Sequence, residues 1–176
     1  MRLFAAIQVP SSLHPAISRA AEPLRDCMGV RLVAPGSWHL TLCFLGDCGE
    51  EKAKAAAEAL AAVRFEPFGV RLSGAGAYPN VHFPRAVFIG GESPGAAALA
   101  EKVRAALSPL GAKDEKFSVH VTVARSKGAG DIDAFLKGAG EVGSFEAKSF
   151  VLMKSTLMAH EARHEVLREY IAKEHF

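Results

Sequence analysis

The sequence predicts an α+β protein in which two antiparallel sheets carry flanking helices. Predicted strands and helices follow one another too irregularly for repeated βαβ units, which favours antiparallel pairing. No stretch of low complexity interrupts the succession, so residues 1–176 are expected to form a single domain. A short motif also occurs once in each half of the chain, which indicates that the domain consists of two similar lobes.

Apolar periodicity and turn signals place two strands and two helices in the first part of the chain, with strands at 2–9 and 39–46 and helices at 11–27 and 49–64. Ser11 and Ser12 offer an N-cap for the first helix, which Pro23 is expected to end or kink. The segment 49–64 combines strong helix formers with early acidic residues, which suit the helix dipole.

The remaining chain continues this pattern, with predicted strands at 65–80, 84–91, 117–125 and 144–158 and helices at 94–111 and 131–140. The glycines late in 65–80 lack a phosphate-binding spacing and are interpreted as a turn that follows the strand. The helix at 94–111 has a proline near its start and Gly111 at its end. The last residues, 160–176, fit either a strand at 164–171 or a terminal helix.

Composition restricts the classes of function that the chain can have. Of its 176 residues, 49% are hydrophobic and 23% are charged, as in an ordinary globular protein with a sizeable core. The formal net charge of +2 is too small for broad, basic nucleic-acid binding, so any such contact must be local. No apolar run has the length of a membrane span or of a secretory signal, and we expect a cytoplasmic protein without a membrane partner.

The three cysteines, Cys27, Cys43 and Cys48, are expected to be free thiols in a reducing compartment. His39 lies close to two of them in the sequence, and histidine and cysteine are both ligands for zinc. Because their spacing matches neither a CxxC nor an HExxH motif, no metal and no other cofactor is predicted.

The segment 39–46, HLTLCFLG, places a histidine and a threonine two residues apart within an apolar run. At the strand period of two, His39, Thr41 and Cys43 share one face, while the alternate residues, Phe44 among them, face the core. A single such pair favours a structural histidine that a neighbouring hydroxyl satisfies.

The segment HVTVAR repeats the arrangement with His120 and Thr122, again between aliphatic residues. If the two units pack with a pseudo-two-fold relation, both His-Thr faces line one central cleft. Two imidazoles suit paired acid and base catalysis near neutral pH, which in-line cleavage of a phosphodiester requires. The threonine hydroxyls can donate hydrogen bonds to the non-bridging phosphate oxygens. This scheme requires no metal.

The two segments resemble the paired His-x-Thr-x signatures of the two-histidine (2H) phosphoesterases, and among these the RNA 2′,3′-cyclic phosphodiesterases, also called 2′-5′ RNA ligases. The order of RLFAAI, HLTLCFLG, the glycine-rich stretch, HVTVAR and KS at 154–155 extends the similarity over nearly the whole chain. The resemblance implies a bilobal fold around a water-filled cleft. It also implies metal-independent hydrolysis of a 2′,3′-cyclic phosphate on RNA or a nucleotide to a 2′-phosphate, with weak reversible 2′-5′ ligation.

The resemblance further implies roles for five residues. His39 and His120 are the expected catalytic pair, with His39 as the proton donor to O3′ and His120 as the proton acceptor that activates water. Thr41 and Thr122 are expected to bind the phosphate. Arg125 occupies the place of a trailing arginine and is a candidate phosphate or substrate contact, although strict strand alternation would place it opposite His120.

Two residues depart from the family pattern. Val119 stands where relatives often have proline, and this difference is expected to matter little to the chemistry. His164 stands where a tyrosine is usual, and this difference is expected to alter how the last strand or a base packs.

Several other side chains have both a structural and a functional interpretation. Phe44 can stack on a base but is expected in the core, Trp38 can line the mouth of the cleft or pack structurally, and Cys43 is expected to form an apolar wall. Surface positions are expected for His82, His160 and His164, and a basic rim or simple solvation for Arg85, Lys127 and Lys154.

The leading hypothesis is a monomeric cyclic phosphodiesterase that acts on RNA with 2′,3′-cyclic phosphate ends or on small cyclic nucleotides. Two alternatives stay open. One is a non-catalytic RNA- or nucleotide-binding module, although binding alone needs basic and aromatic groups more than paired imidazoles. The other is a 2H enzyme that acts on a different cyclic phosphate.

Overall fold

The computed structural model describes residues 1–128 and 130–174, in which nine strands and four α-helices follow one another. The strands are β1 (Arg2–Gln8), β2 (Val30–Leu32), β3 (His39–Asp47), β4 (Phe68–Tyr78), β5 (Ala86–Glu92), β6 (His120–Ser126), β7 (Glu141–Ala147), β8 (Ser149–Leu157) and β9 (Ala162–Ile171). The helices are α1 (His14–Ala21), α2 (Glu50–Ala61), α3 (Pro94–Leu107) and α4 (Asp133–Gly138). This succession confirms the predicted α+β class.

The strands form two antiparallel sheets. One sheet has the order β3-β1-β8-β9 and the other has the order β2-β6-β5-β4-β7. Each His-x-Thr segment lies on a different sheet, because His39 begins β3 and His120 begins β6. Both sheets take strands from both halves of the chain, so the repeated motif does not correspond to an N-terminal and a C-terminal sheet.

Strand β1 is buried along both of its faces, which holds the first sheet between two apolar layers. One face carries Leu3, Ala5 and Ile7 into the main core, which also contains buried residues of the second sheet and of the helices. The other face contributes to a smaller cluster of four residues: Phe4, Ala6, Val151 and Met153. Since each fully buried aliphatic or aromatic side chain contributes about 1.5–3 kcal/mol, this double burial fixes the register of β1.

The glycine-rich segment is part of a strand, which corrects the turn predicted late in 65–80. Strand β4 runs through this segment and pairs with both β5 and β7. An irregularity in its register with β5 accommodates Gly74, whose φ of +78° favours glycine. A Cβ at Gly76 would lie 2.6 Å from the ring of Phe88, so the missing side chain makes room for that ring.

The first helix is shorter than the predicted span of 11–27. A 3-10 turn at Ser11–Leu13 precedes α1, and a second one at Glu22–Leu24 follows it. The predicted N-cap was wrong, because the serines lie inside the first turn and Pro10 occupies its N-cap position. Pro23 lies just beyond the end of α1, as predicted.

The end of the chain is extended. Strand β9 pairs with β8 and confirms the strand predicted at 164–171, so the terminal helix is wrong, although residues 175–176 of that prediction lie outside the described residues. None of the helices in the described part of the chain has the length and apolar character needed to cross a bilayer.

Candidate active site

A cleft of about 960 Å³ is lined by strands of both sheets and contains both His-x-Thr segments. Its walls include His39 and Thr41 of β3 and His120, Thr122 and Arg125 of β6. The structure therefore brings together, in one cavity, all five residues to which the sequence assigns a role.

A β-bulge sets the direction of the side chains in β3. Thr41 pairs with Ala6 and Cys43 pairs with Ala5, so the residue between them adds one position to β3 and reverses the alternation. Cys43 is consequently buried, and Phe44 is 42% exposed and lines the cleft. The core position predicted for Phe44 and the cleft-facing position predicted for Cys43 were both wrong.

The same irregularity occurs in β6. Thr122 pairs with Phe88 and Ala124 pairs with Val87, so Val123 is the additional residue. This bulge brings Arg125 to the face of His120 and Thr122, where it lines the cleft. Strict alternation would have placed the arginine on the opposite face, and the bulge removes that conflict.

Both imidazoles are oriented by a backbone carbonyl two residues earlier. Nδ1 of His39 lies 2.7 Å from the carbonyl oxygen of Ser37, and Nδ1 of His120 lies 3.1 Å from that of Ser118. Because a carbonyl oxygen can only accept, Nδ1 carries the hydrogen in both rings and donates it. Nε2 of each ring therefore remains available to exchange a proton with a molecule in the cleft.

The ring of His39 is packed between other rings. The centroid of Phe4 lies 5.1 Å from it, and that of His164 lies 5.2 Å from it in an edge-to-face arrangement. Burial lowers the pKa of His39 to about 4, and the nearby charges of His164, Arg125 and His120 act in the same direction, while the Ser37 carbonyl opposes them. In the unliganded protein His39 is thus neutral at pH 7.

His164 is half-buried in the cleft, which corrects the surface position predicted for it. Its ring also lies 5.3 Å from that of Phe4, so three rings meet at the floor of the cleft. Burial lowers the pKa of His164, and the charge of Arg125 lowers it further. Phe4 lies next to the first motif in the sheet, but its alternating position in an apolar strand gave only a weak signal in the sequence.

The ring of His120 has a more polar environment. Tyr78 and Phe88 approach it edge-on, with centroids at 5.3 Å and 5.5 Å, and Oγ of Ser118 lies 3.2 Å from its Nδ1. Burial lowers the pKa of His120, the carbonyl of Ser118 opposes this shift, and the charge of Arg125 adds to it. Tyr78 was missed by sequence reasoning, because it comes from a strand that is distant in the sequence.

Two arginines lie side by side on the cleft wall. Arg125 of β6 pairs directly with Arg31 of β2, and both line the cleft. Burial lowers the pKa of Arg125. Like charges at directly opposed strand positions repel each other, so this arrangement favours an anion in the cleft. Arg31 was not singled out from the sequence.

The other residues considered from the sequence lie mainly away from the chemistry. Trp38 is 5% exposed and packs edge-on against His14, which supports its structural interpretation. Lys154 pairs with Leu3, whose side chain enters the main core, so it lies on the face of the sheet opposite the cleft and does not contribute a basic rim. Side chains exposed to solvent are those of His82, His160, Arg85 and Lys127, with His160 at the edge of the cleft.

The zinc set considered from the sequence is not assembled. Cys43 is buried by the bulge while His39 lines the cleft. Within 1–128 and 130–174, no group of three His, Cys, Asp or Glu residues is placed to hold a metal ion.

Known proteins are similar to this chain in sequence and in fold. The model of the family described as LigT like Phosphoesterase matches residues 7–88. The RNA 2′,3′-cyclic phosphodiesterase of Archaeoglobus fulgidus is 38% identical, over 89% of this chain and 92% of that protein. The one of Methanocaldococcus jannaschii is 32% identical, over 97% of this chain and 100% of that protein.

Solved structures of related proteins have the same fold as this chain. The crystal structure of TT0787 of Thermus thermophilus has a TM-score of 0.79 and 32% identity, with 97% of each chain covered. Escherichia coli LigT in its apo form has a TM-score of 0.83 and 26% identity, with 98% of each chain covered. Because relatives of this similarity cover nearly the whole chain, the protein belongs to the LigT-like phosphoesterases of the two-histidine superfamily.

Proposed function

We propose that the protein hydrolyses the 2′,3′-cyclic phosphate of RNA or of a nucleotide to a 2′-phosphate, without a metal ion. The observation that carries this proposal is the position of two His-x-Thr segments, one from each sheet, on the walls of one cleft. In both segments the carbonyl at Nδ1 leaves Nε2 as the atom that exchanges protons.

In the proposed reaction, the cyclic phosphate lies between the two imidazoles. Nε2 of His120 takes a proton from a water molecule, whose oxygen attacks phosphorus. The bond from phosphorus to O3′ breaks on the opposite side, and Nε2 of His39 donates a proton to O3′. The products are a free 3′-hydroxyl and a 2′-phosphate, and the two rings return to their starting states by exchanging protons with solvent.

The remaining site residues stabilise the phosphate. The hydroxyls of Thr41 and Thr122 follow their histidines by two positions, and both residues line the cleft. They are placed to donate hydrogen bonds to the non-bridging oxygens, whose negative charge persists through the transition state. Arg125 adds a positive charge on the same wall, and charge-assisted hydrogen bonds of this kind are stronger than neutral ones.

Substrate binding must protonate His39 for this assignment of roles. With a pKa of about 4, the ring is neutral in the unliganded protein at pH 7. A phosphate anion in contact with the ring favours the imidazolium and raises its pKa. His39 is therefore expected to take up a proton together with the substrate, so that binding and protonation are coupled.

The relatives support the proposed substrate class. The Archaeoglobus and Methanocaldococcus proteins carry the name RNA 2′,3′-cyclic phosphodiesterase, and E. coli LigT has been crystallised with 3′-AMP, ATP, NADP+ and phosphate. We further propose that residues 1–176 act as a monomeric, cytoplasmic domain whose lobes are the two sheets. Weak 2′-5′ ligation of RNA is proposed as the reverse reaction through the same cleft.

The proposal is tested by hydrolysis of a nucleoside 2′,3′-cyclic phosphate in EDTA, with the 2′- and 3′-phosphate products separated. We expect EDTA-resistant formation of the 2′-phosphate by the wild type, and losses of about 10²-fold or more in His39→Ala and in His120→Ala. His82→Ala removes an exposed histidine and serves as the matched control, with unchanged activity.

Four results would contradict the proposal. Turnover that survives both substitutions would remove the histidines from the mechanism, and loss of turnover in EDTA would remove metal independence. A wild type that binds the cyclic nucleotide without cleaving it would favour the binding module, whereas cleavage confined to another cyclic phosphate would change the substrate.

A further inference from the structure

Two hydroxyl groups connect His120 to strand β4 of its own sheet, and neither takes part in the reaction described above. Nδ1 of His120 lies 3.2 Å from Oγ of Ser118, and this Oγ lies 3.0 Å from the hydroxyl oxygen of Tyr78. Ser118 precedes the histidine by two residues, whereas Tyr78 ends β4, which is two strands away from β6 in the sheet. The chain of contacts therefore joins parts of the molecule that are distant in the sequence.

The hydrogen bonds in this chain have a direction. Nδ1 of His120 also lies 3.1 Å from the carbonyl oxygen of Ser118, which can only accept, so Nδ1 is the donor. Oγ of Ser118 then accepts from the same N–H. An oxygen that accepts becomes a better donor, so the cooperative arrangement has Ser118 donating to the hydroxyl oxygen of Tyr78.

The packing of Tyr78 holds its hydroxyl in place. Its ring stacks on Phe88 with centroids 4.7 Å apart, and both rings meet the edge of His120. Although Tyr78 is 44% exposed, its ring is thus fixed on two sides. Because this packing already restricts the ring, the hydrogen bond between the Tyr78 hydroxyl and Ser118 Oγ costs little additional side-chain entropy.

Charged and titratable groups of several elements line the same cleft as His120: Arg2 on β1, Arg31 on β2, His39 and Asp47 on β3, Arg125 on β6, His164 on β9, Lys113 and Glu115 before β6, and His160 and Glu161 before β9. Among these, the charge of Arg125 opposes protonation of the ring most directly. The hydroxyls of Ser118 and Tyr78 act in the opposite sense, because an imidazolium donates a stronger hydrogen bond than a neutral ring does.

We propose that Ser118 and Tyr78 are positioning residues for His120, which orient its ring and stabilise the imidazolium formed when it takes a proton from water. This inference rests on the proposed function, since it requires His120 to gain a proton during turnover.

Two substitutions test the hydroxyls separately. Tyr78→Phe keeps the ring and its packing, and Ser118→Ala keeps the carbonyl that orients Nδ1. Ser118→Thr restores a hydroxyl and is the conservative rescue. Tyr170→Phe makes the same chemical change in the only other tyrosine of the sequence, whose hydroxyl donates to the carbonyl of Ala57, 2.9 Å away.

The expected result is a change in kcat with little change in KM. Ser118→Ala should lower kcat about three- to tenfold, because it removes one partly exposed hydrogen bond to the charged imidazolium. Tyr78→Phe should lower kcat somewhat less, because the Tyr78 hydroxyl bonds to Ser118 Oγ and acts on the ring only through it. The pH–rate profile should move as well: if His120 is the base, the acidic limb moves to lower pH, and if it is the acid, the basic limb does so. Ser118→Thr should restore the profile, and Tyr170→Phe should leave it unchanged.

Titration of the His120 ring by nuclear magnetic resonance separates positioning from a purely structural role. A lower pKa for His120 in both variants supports the proposal, whereas wild-type titration in both variants overturns it, even where kcat has fallen. The titration uses the free protein, so it remains decisive if the wild type fails to cleave the cyclic phosphate. That failure would reject the proposed function, while an unchanged titration would reject the role of the hydroxyls.

Discussion

Strands β3 and β6 match closely in backbone and differ in the surroundings of their histidines. Both have the same order of half-buried, buried and exposed residues over six positions, with a bulge just after the threonine. Both histidines donate from Nδ1 to a carbonyl two residues earlier. The strands diverge at their sixth position, where β3 has Phe44 and β6 has Arg125.

Two histidines at equivalent backbone positions can therefore have unlike chemistry. A general acid and a general base must hold different protonation states at the same pH, which requires unlike environments. His39 packs against the rings of Phe4 and His164, whereas His120 contacts the hydroxyl of Ser118 and the ring of Tyr78. The repeated backbone brings the two rings into one cleft, and their neighbours make them unequal.

The largest expected effect comes from removing both members of the pair. If His39 and His120 act as a unit, each alanine substitution should lower kcat by about 10²- to 10⁴-fold. The double variant should then be little worse than the poorer single variant, because an acid without its base has little left to contribute. Turnover assays on the four proteins check this expectation, and losses that multiply in the double variant would show that the histidines act independently.

The next largest expected effect is on the stability of the protein, and it comes from the burial of the His39 ring. The pKa of His39 is about 4 in the folded protein against an ordinary 6.5, so the unfolded chain binds more protons between these values. The contribution of His39 to stability is therefore complete above pH 6.5 and declines as the pH falls towards 4. We expect His39 alone to lower the free energy of unfolding by about 2 kcal/mol between pH 7 and pH 4.5.

Urea denaturation at the two pH values measures this contribution. His39→Gln should lose less stability on acidification than the wild type does, and His82→Gln, which changes an exposed histidine, should behave like the wild type. Equal losses in all three proteins would place the pKa of His39 near its ordinary value.

Arg125→Gln should have a smaller effect on activity, and it should change the pKa values of histidines on both sheets. Its charge lowers the pKa of His39, His120 and His164, so its removal should raise all three. Loss of a charged phosphate contact should also reduce kcat/KM about ten- to a hundredfold. Arg31→Gln, on the neighbouring strand, is the matched comparison, with a smaller loss. Titrations by nuclear magnetic resonance together with steady-state kinetics test this, and unchanged histidine pKa values would remove Arg125 from the electrostatics of the cleft.

The prediction that His39 and His120 line one cleft agrees with the structure, because a motif repeated in each half needs only strand alternation to place it on a face. Their catalytic roles stay a prediction. The sequence could not predict the bulges, which depend on pairing with β1 and β5 and on packing beneath the sheets. Strict alternation therefore misplaced Phe44 and Cys43. It also put Arg125 on the face opposite His120, whereas the family resemblance implied a contact with the substrate.

Partners from distant strands were also beyond the reach of local patterns. Phe4 was predicted only as a residue of an apolar strand, and Tyr78 lies in the segment predicted as a glycine-rich turn. Only the order of strands in the two sheets brings them to the imidazoles. His164 was noticed as a departure from the family pattern, but β9 and β3 are opposite edges of the first sheet, and local patterns do not predict that their histidines meet beside Phe4. Residues that act through neighbours are therefore harder to predict than those that carry a motif.

The smallest expected effect comes from Phe44, and it tests most specifically whether the bulge in β3 turns this ring towards the substrate. Its ring is 42% exposed on the cleft wall, 5.9 Å from that of Phe4, and can stack on the base of a bound nucleotide. Base stacking contributes about 1–3 kcal/mol, and the low end of this range suits a ring that is partly open to solvent. Phe44→Ala should therefore raise KM about five- to tenfold, with kcat nearly unchanged. Phe83→Ala removes a ring that is 67% exposed in the loop after β4 and should leave KM unaltered. Equal KM values in the two variants would mean that Phe44 faces the cleft without touching the base, and that its counterpart Arg125 alone contacts the substrate from this position of the repeat.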